Sequence, residues 1–298
     1  MVRLERMPIN TRVIDNPKSE RVRRVADLAS RKTRERSGRF LIEGPQSVRE
    51  AVRWRPDAVQ DLYVEVTQAL GNDRPVSLTV QRIEDESQDS TIYVHHVTSQ
   101  VMARISKDSQ GIVAVGNLAA METDPDDLEL RGDALIAAFW QVRDPGNAGT
   151  VIRAADAAGC AAVILVDDCV DRLNPKTIRS TAGSLFHIPV LTMSTDGFFA
   201  FAHDRNVPVW AADVYGTPDR TPEQLPAVLA DPKARKGPKA VLFGNEARGL
   251  ETGELERCNR IVSIPIYGKA ESLNLGTSAA VMLMSLAMSS HAGTILAV

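Results

Sequence analysis

Three segments in the second half of the chain place polar residues directly after apolar, strand-like runs. In "QVRDPGNAGTVIRAADAAGC" the turn Asp144-Pro145-Gly146-Asn147 follows the run "ALIAAFW" and opens a helix carrying Arg153. In "AVLFGNEARGL" a strand runs straight into Gly244, Asn245, Glu246, Arg248 and Gly249. In "IPIYGKAESLNLGTSAAVMLMSLA" Glu271, Ser272 and Asn274 stand where a strand hands over to a long apolar helix. An ordinary connection of this kind is short and turns its polar groups to water. Ligands of open parallel α/β sheets bind beyond the carboxyl ends of the strands, so these segments mark the expected site.

Each segment also has a plainer reading. Asn147 serves as a helix N-cap, Glu246 and Arg248 pair within a turn, and Ser272 caps the final helix. Arg153 resists this treatment. It sits among Ala, Val, Ile and Gly, where a guanidinium withdrawn from water needs a partner. The glycines at 244 and 249 permit close backbone approach to a ligand. Met282, Met284 and Met288 read as core filler of the last helix.

Other chemistries find no support in the pattern. No G-x-G-x-x-G follows a strand and no G-x-x-x-x-G-K-[ST] occurs, which argues against a dinucleotide enzyme or a P-loop NTPase. His95-His96 has no carboxylate or cysteine at ligand spacing, so no metal is expected. Cys160, Cys169 and Cys258 form no C-x-x-C pair and are odd in number, which fits a reducing compartment rather than a disulfide framework. No run approaches the roughly 20 apolar residues of a membrane span, and the first residues lack a signal-peptide core. A soluble, cytoplasmic protein without membrane contact is expected.

These residues need elements to position them, and 298 residues with 44% hydrophobic content suit two domains. Pro17 and Ser19 open a helix with Val22, Val25, Ala26 and Leu28 on one face. "GRFLIEG", "DLYVEV", "TIYVHHV" and "QGIVAVG" read as strands, with helices through Val48–Val52 and Val101–Ile105. This makes a small α/β domain over 1–116. The acidic stretch "LAAMETDPDDLELRGD" has no period and reads as a linker over 117–132. Beyond it, over 133–298, "ALIAAFW", "AAVILVDD", "IPVLTM", "VPVWAAD", "AVLFG" and "RIVSIPI" read as strands, most of them nearly continuous apolar runs, the mark of a mostly parallel sheet covered on both faces.

Charge is unevenly placed. Residues 1–40 hold Arg3, Arg6, Arg12, Lys18, Arg21, Arg23, Arg24, Arg31, Lys32, Arg34, Arg36 and Arg39 against five acids, on a chain whose total is −3. A basic face on an otherwise acidic protein suits phosphate binding, and the plain alternative is a solvated helix face.

Taken together, the three segments resemble the motifs of the SpoU/TrmH family of RNA ribose 2′-O-methyltransferases, in the SPOUT superfamily. The matching residues are Asn147, Gly149 and Arg153; Gly244, Asn245, Glu246, Arg248 and Gly249; and Pro265, Ser272, Leu273, Asn274, Ser278 and Ala280. "NPKSERVRRVADLASRKTRERSGRFLIEGPQSVREAV" and "SQGIVAV" resemble that family's substrate-binding domain, akin to a ribosomal-protein RNA-binding fold. The resemblance implies a deep trefoil knot in the C-terminal domain and a pocket for S-adenosylmethionine at Leu242, Phe243, Gly244, Asn245, Gly249, Ile264, Ile266, Ser272 and Leu273. It implies catalytic roles for Asn147, Arg153, Glu246, Ser272 and Asn274, with Arg153 acting either as base or as electrostatic stabiliser. It also implies a homodimer through the knotted domain. With the charge pattern, it makes Arg23, Arg24, Arg31, Lys32, Arg34 and Arg39 an RNA-binding face. The expected substrate is 23S ribosomal RNA, with transfer RNA as the alternative. A catalytically silent RNA-binding protein of the same fold is the rival from another class.

Overall fold

The computed structural model describes residues 10–69 and 72–290; Arg3 and Arg6 of the basic segment lie outside them. The chain forms two compact units. One runs to Glu122 and also includes Asp171–His187, while the other comprises Thr123–Val170 and the chain from Ile188 onward.

The first unit is built on strands β1 (Asn10–Ile14), β2 (Arg39–Glu43), β3 (Val59–Ala69), β4 (Asn72–Pro75), β5 (Tyr93–Val97) and β6 (Ile112–Asn117). Their order is β1-β5-β3-β6-β2, with β4 paired to β3. β1 and β3 run parallel to β5, whereas β6 is antiparallel to β3 and to β2. Helix Glu20–Ala26 begins at Ser19, whose Oγ accepts from the Val22 N–H at 3.4 Å. Its Val22 and Val25 join Leu28, Leu41, Tyr63, Met102 and Val113 in one core cluster. The helix Leu78–Asp89 has no clear apolar period because its buried face includes Glu84, Ser87 and Gln88 beside Val80 and Ile83. His96 faces this helix and meets Glu84 Oε1 at 2.6 Å, and neighbouring His95 meets Asp61 Oδ1 at 3.1 Å. Consecutive strand residues point to opposite faces, so the two histidines cannot share a metal.

The basic face needs one correction. Arg23, Arg24, Arg31, Lys32 and Arg39 are exposed, but Arg34 is only 2% exposed. Its Nη1 donates to the carbonyls of Leu28 and Ala29, both at 2.9 Å, and its Nη2 to Asp171 Oδ2 at 2.5 Å. A guanidinium committed in this way closes the turn below its helix and is not available to RNA phosphates. Asp171 belongs to the segment that the first unit takes from the middle of the chain. Polar contacts bind the rest of that segment: Arg172 pairs with Glu122, Arg179 with Glu43 and Asp108, and His187 Nε2 lies 3.2 Å from Glu50 Oε2.

The second unit is a seven-stranded sheet of β7 (Leu135–Trp140), β8 (Ala162–Val166), β9 (Val190–Met193), β10 (Val209–Ala212), β11 (Glu223–Gln224), β12 (Lys239–Phe243) and β13 (Arg260–Ser263). The order is β11-β13-β10-β12-β7-β8-β9, and every neighbouring pair is parallel. β7, β8 and β12 are buried along their whole length, as their continuous apolar runs require. From β7 the chain proceeds outward through β8 and β9, then crosses to fill the other side with β10, β12 and β13. The carboxyl ends of β7 and β12 therefore adjoin at the point where the strand order reverses. Helix Leu275–Ser290 packs on helix Pro145–Ala157. Gly276 sets that approach, because a Cβ there would lie 2.6 Å from Thr150 Cγ2. Cys160 and Cys258 are buried free thiols whose pKa values burial pushes up to about 12. Met288 is 61% exposed, so it is not core filler.

Removing one partner of a buried ion pair strands the other without compensation. Arg34→Met should therefore lower stability by about 3 kcal/mol, read from the denaturant midpoint. Arg23→Ala and Arg39→Ala should leave that midpoint in place. A wild-type midpoint for Arg34→Met would contradict the structural role.

Candidate active site

The loop after β12 is closed by its own backbone. Asn245 N–H donates to Gly249 O at 3.0 Å, and Gly249 N–H returns to Asn245 O at 2.9 Å. Gly249 has φ +69°, a left-handed conformation that favours glycine. At Gly244 there is no room for a side chain, since a Cβ would meet Gly249 C at 2.3 Å and Leu250 N at 2.5 Å. The Asn245 side chain fixes the loop from within, accepting from Ala247 N–H at 3.0 Å and Arg248 N–H at 3.3 Å. Its Nδ2 donates to Gln141 O at 2.7 Å, which ties the loop to the end of β7.

Asn147 comes to the same place from the next helix. Asp144, not Asn147, is the N-cap there, accepting from the Asn147 N–H at 2.8 Å. This leaves the Asn147 carboxamide free to donate to Glu246 Oε1 at 3.1 Å. Asn245 Nδ2 approaches the other carboxylate oxygen at 3.4 Å. Two carboxamides from separate elements thus hold Glu246. Arg248 does not pair with it; that guanidinium donates to Gln141 Oε1, lies 5.6 Å from the Trp140 ring centroid and faces Glu251 at 3.6 Å.

Beside this loop lies a pocket of about 240 Å³. The end of β10, the 243–249 loop and the end of β13 form its walls, and Ser272, Leu273, Leu275, Ser278 and Met282 complete it. Of the expected lining, Phe243, Gly244, Asn245, Gly249, Ile264, Ile266, Ser272 and Leu273 are present, and Glu246 joins them. Leu242 is the exception: it is wholly buried in the core cluster with Ile136, Ile164 and Ala211, because alternation along β12 turns it away.

Two further expectations are resolved by position. Asn274 caps the last helix, its Oδ1 accepting from Gly276 N–H at 2.9 Å, while Ser272 lies upstream in the pocket wall. Arg153 is exposed rather than buried, because helix Pro145–Ala157 turns Ala148, Val151, Ile152 and Ala155 inward instead. Its guanidinium has no hydrogen bond or ion pair among the described residues and is not part of the pocket wall. Ala212, Asp213, Val214 and Tyr215 also line the pocket, beyond the residues expected from the sequence. The available signal was "VPVWAADVYG", a buried strand ending on an acid and a glycine.

Gly244→Ala should force the loop closure apart at a cost of about 1–3 kcal/mol. Deuterium exchange at the Asn245 and Gly249 amides should accelerate accordingly. Unchanged protection of those amides would contradict the close approach.

Comparison with known proteins places this geometry. Residues 134–284 match the SpoU rRNA Methylase family and residues 19–114 match the MRM3-like substrate binding domain. The 23S rRNA (guanosine(2553)-2′-O)-methyltransferase of Bacillus subtilis is 30% identical over 274 residues, covering 92% of this chain and 98% of that one. A 23S rRNA (uridine(2479)-2′-O)-methyltransferase of Streptomyces viridochromogenes is 29% identical, covering 86% of this chain and 85% of that one. Among solved structures, the SpoU methyltransferase AviRb of Streptomyces viridochromogenes aligns with a TM-score of 0.73 at 26% identity, over 92% of this chain and 99% of that one. Its complex with the cofactor AdoMet aligns at 0.75 and 24% identity, over 92% and 100% of the two chains. Among the described residues no helix is long and apolar enough to cross a membrane, and no cluster of His, Cys, Asp or Glu is arranged to hold a metal ion. Motif order, pocket and overall likeness agree, and the chain belongs to the SpoU rRNA methylase family.

Proposed function

We propose that this protein is an S-adenosylmethionine-dependent RNA 2′-O-ribose methyltransferase acting on 23S ribosomal RNA. The observation that carries this reading is the closed 244–249 loop, which flanks the pocket and presents Glu246 held by Asn147 and Asn245. When bound, S-adenosylmethionine supplies an electrophilic methyl group on a sulfonium. The pocket residues fit it. Ile264, Ile266, Leu273 and Met282 offer an apolar slot for adenine, and the main chain of the 244–249 loop supplies rigid donors and acceptors beside them. Asp213 and Glu246 against the single Arg248 make the charged lining net negative, which suits a cationic ligand.

The chain's own residues must align the 2′-hydroxyl and ease loss of its proton. Glu246 is positioned to orient the ribose. Arg153 is read as an electrostatic stabiliser rather than a base, because guanidinium groups are poor proton acceptors. Its unpaired, exposed guanidinium is instead suited to a backbone phosphate and to negative charge developing on the 2′-oxygen. Ser272 borders the pocket, and Asn274 sets the start of the helix that follows it. The relatives named for guanosine and for uridine differ in base but share the ribose reaction. That agrees with a site organised around the sugar.

The exposed side chains of Arg23, Lys32 and Arg39, together with Arg24 and Arg31, supply phosphate contacts on the first unit. This unit serves as a ribosomal-protein-like RNA-binding domain, and its presence favours ribosomal over transfer RNA. The chain from the 244–249 loop to the last helix is tied in a trefoil knot in this reading. Support comes from β12 lying inside the sheet and from the return of helix Leu275–Ser290 onto helix Pro145–Ala157. Exposed Val281 and Met288 on that last helix suit packing against a second copy, giving a homodimer. The cytoplasm, where ribosomal RNA is exposed to modification, is the compartment this function needs.

Transfer of radiolabelled methyl from S-adenosylmethionine to ribosomal RNA of a strain lacking the protein tests the reading. Arg153→Ala should reduce transfer by about 100-fold or more, on the scale of losing one transition-state donor. Calorimetric affinity for the cofactor should remain at the wild-type value. Arg153→Lys should fail as well, because a point charge does not reproduce the planar fork. Wild-type turnover in Arg153→Ala, or cofactor affinity lost in step with activity, would contradict the assignment.

A further inference from the structure

The pocket wall contains a second carboxylate whose geometry exceeds what its loop requires. Asp213 directly follows β10, and its N–H donates to Val262 O at 3.1 Å. Its Oδ1 accepts from Tyr215 N–H at 2.8 Å and Gly216 N–H at 2.7 Å, forming a tight turn. Gly216 has φ +74°, and a Cβ there would meet Arg220 O at 2.2 Å. Arg220 in turn donates to the carbonyls of Leu255, Cys258 and Asn259 at 3.1, 2.9 and 3.2 Å. The loop is therefore fixed at both ends.

One oxygen makes the turn, and the other is left over. Asp213 Oδ2 accepts no hydrogen bond from any described residue. It lies 3.8 Å from the position a Cβ on Gly249 would occupy, so it faces the 244–249 loop across the pocket. The nearest cation of the wall, Arg248, is engaged with Gln141 and Glu251 instead. Asn, Ser or Thr would form the same turn. A half-buried carboxylate oxygen held rigid and unpaired is a preorganised acceptor, and charged acceptors make the stronger hydrogen bonds.

We propose that Asp213 Oδ2 receives a hydrogen bond from a donor group of the bound cofactor, and so determines affinity and selectivity at this pocket. The proposal rests on reading the pocket as the S-adenosylmethionine site. The cofactor offers two kinds of donor: the ribose hydroxyls and the amino-acid ammonium. Either would meet the same oxygen, and the two are separable by ligand.

Calorimetry on the full-length protein compares S-adenosylmethionine, S-adenosylhomocysteine and 5′-methylthioadenosine, the last lacking the amino-acid group. Asp213→Asn keeps an oxygen for the two turn amides and replaces Oδ2 by a donor. Asp213→Ser keeps a turn-forming oxygen and removes Oδ2 altogether. Both variants should melt at the wild-type temperature and bind S-adenosylmethionine about tenfold or more weakly, the effect of losing one charge-assisted hydrogen bond. Weakening for all three ligands assigns the ribose hydroxyls; weakening only for the first two assigns the ammonium. Wild-type affinity for all three in both variants overturns the proposal and leaves the pocket reading standing. A fall in melting temperature that accounts for the whole loss of affinity also overturns it, returning Asp213 to the turn. If the wild-type protein binds no S-adenosylmethionine, the reading of the pocket fails, and this inference fails with it.

Discussion

The reciprocal pair of backbone hydrogen bonds between Asn245 and Gly249 is the constraint on which the site depends. It folds the chain back on itself immediately after β12 and places Glu246 at the tip of the fold. It is possible only because Gly244 has no side chain and Gly249 adopts a left-handed φ. Once closed, the loop brings Glu246 to Asn147, and its Asn245 carboxamide reaches the end of β7. The pocket wall, the orientation of the carboxylate and the link between β12 and β7 all follow from one tight turn.

Sheet order decides where that turn is useful. β12 lies between β10 and β7, and β13 lies beyond β10, so loops from four adjacent strands converge at the carboxyl end of the sheet. A parallel sheet built in sequence order would scatter these loops. The crossover that inserts β12 beside β7 brings residues about 100 positions apart within hydrogen-bond reach, as in the Asn147–Glu246 contact. Tight packing of Gly276 against Thr150 then holds the last helix on the helix that carries Asn147.

The sequence was informative where backbone chemistry is local and apolar runs are continuous. β7, β8 and β12 announce themselves by near-continuous apolar runs, and Gly244 and Gly249 by their place after such a strand. The apolar neighbourhood of Arg153 in sequence points to burial but does not say which way a helix turns; here Ala148, Val151, Ile152 and Ala155 face inward and the arginine faces out. Arg34 was indistinguishable from its neighbours, since its burial depends on Asp171, 137 positions away. Helix Leu78–Asp89 hid behind a polar buried face, with Glu84 meeting His96. For Asp213 the sequence marks only the end of a buried strand, not the shape of the loop. Its loop is shaped by Arg220 and by β13, contacts that no local pattern encodes.

Charge in this protein has two destinations. Arg34, Arg172 and Arg179 are used up within the first unit, whereas Arg23, Lys32, Arg39 and Arg153 are exposed. In the proposed function, the strand ends closed by the Asn245–Gly249 turn form the cofactor pocket. A crystal structure with S-adenosylhomocysteine tests it most directly. The account predicts the ligand between the ends of β10, β12 and β13, touching main-chain atoms of residues 244–249. A ligand bound elsewhere on the protein, with this pocket empty, would contradict it.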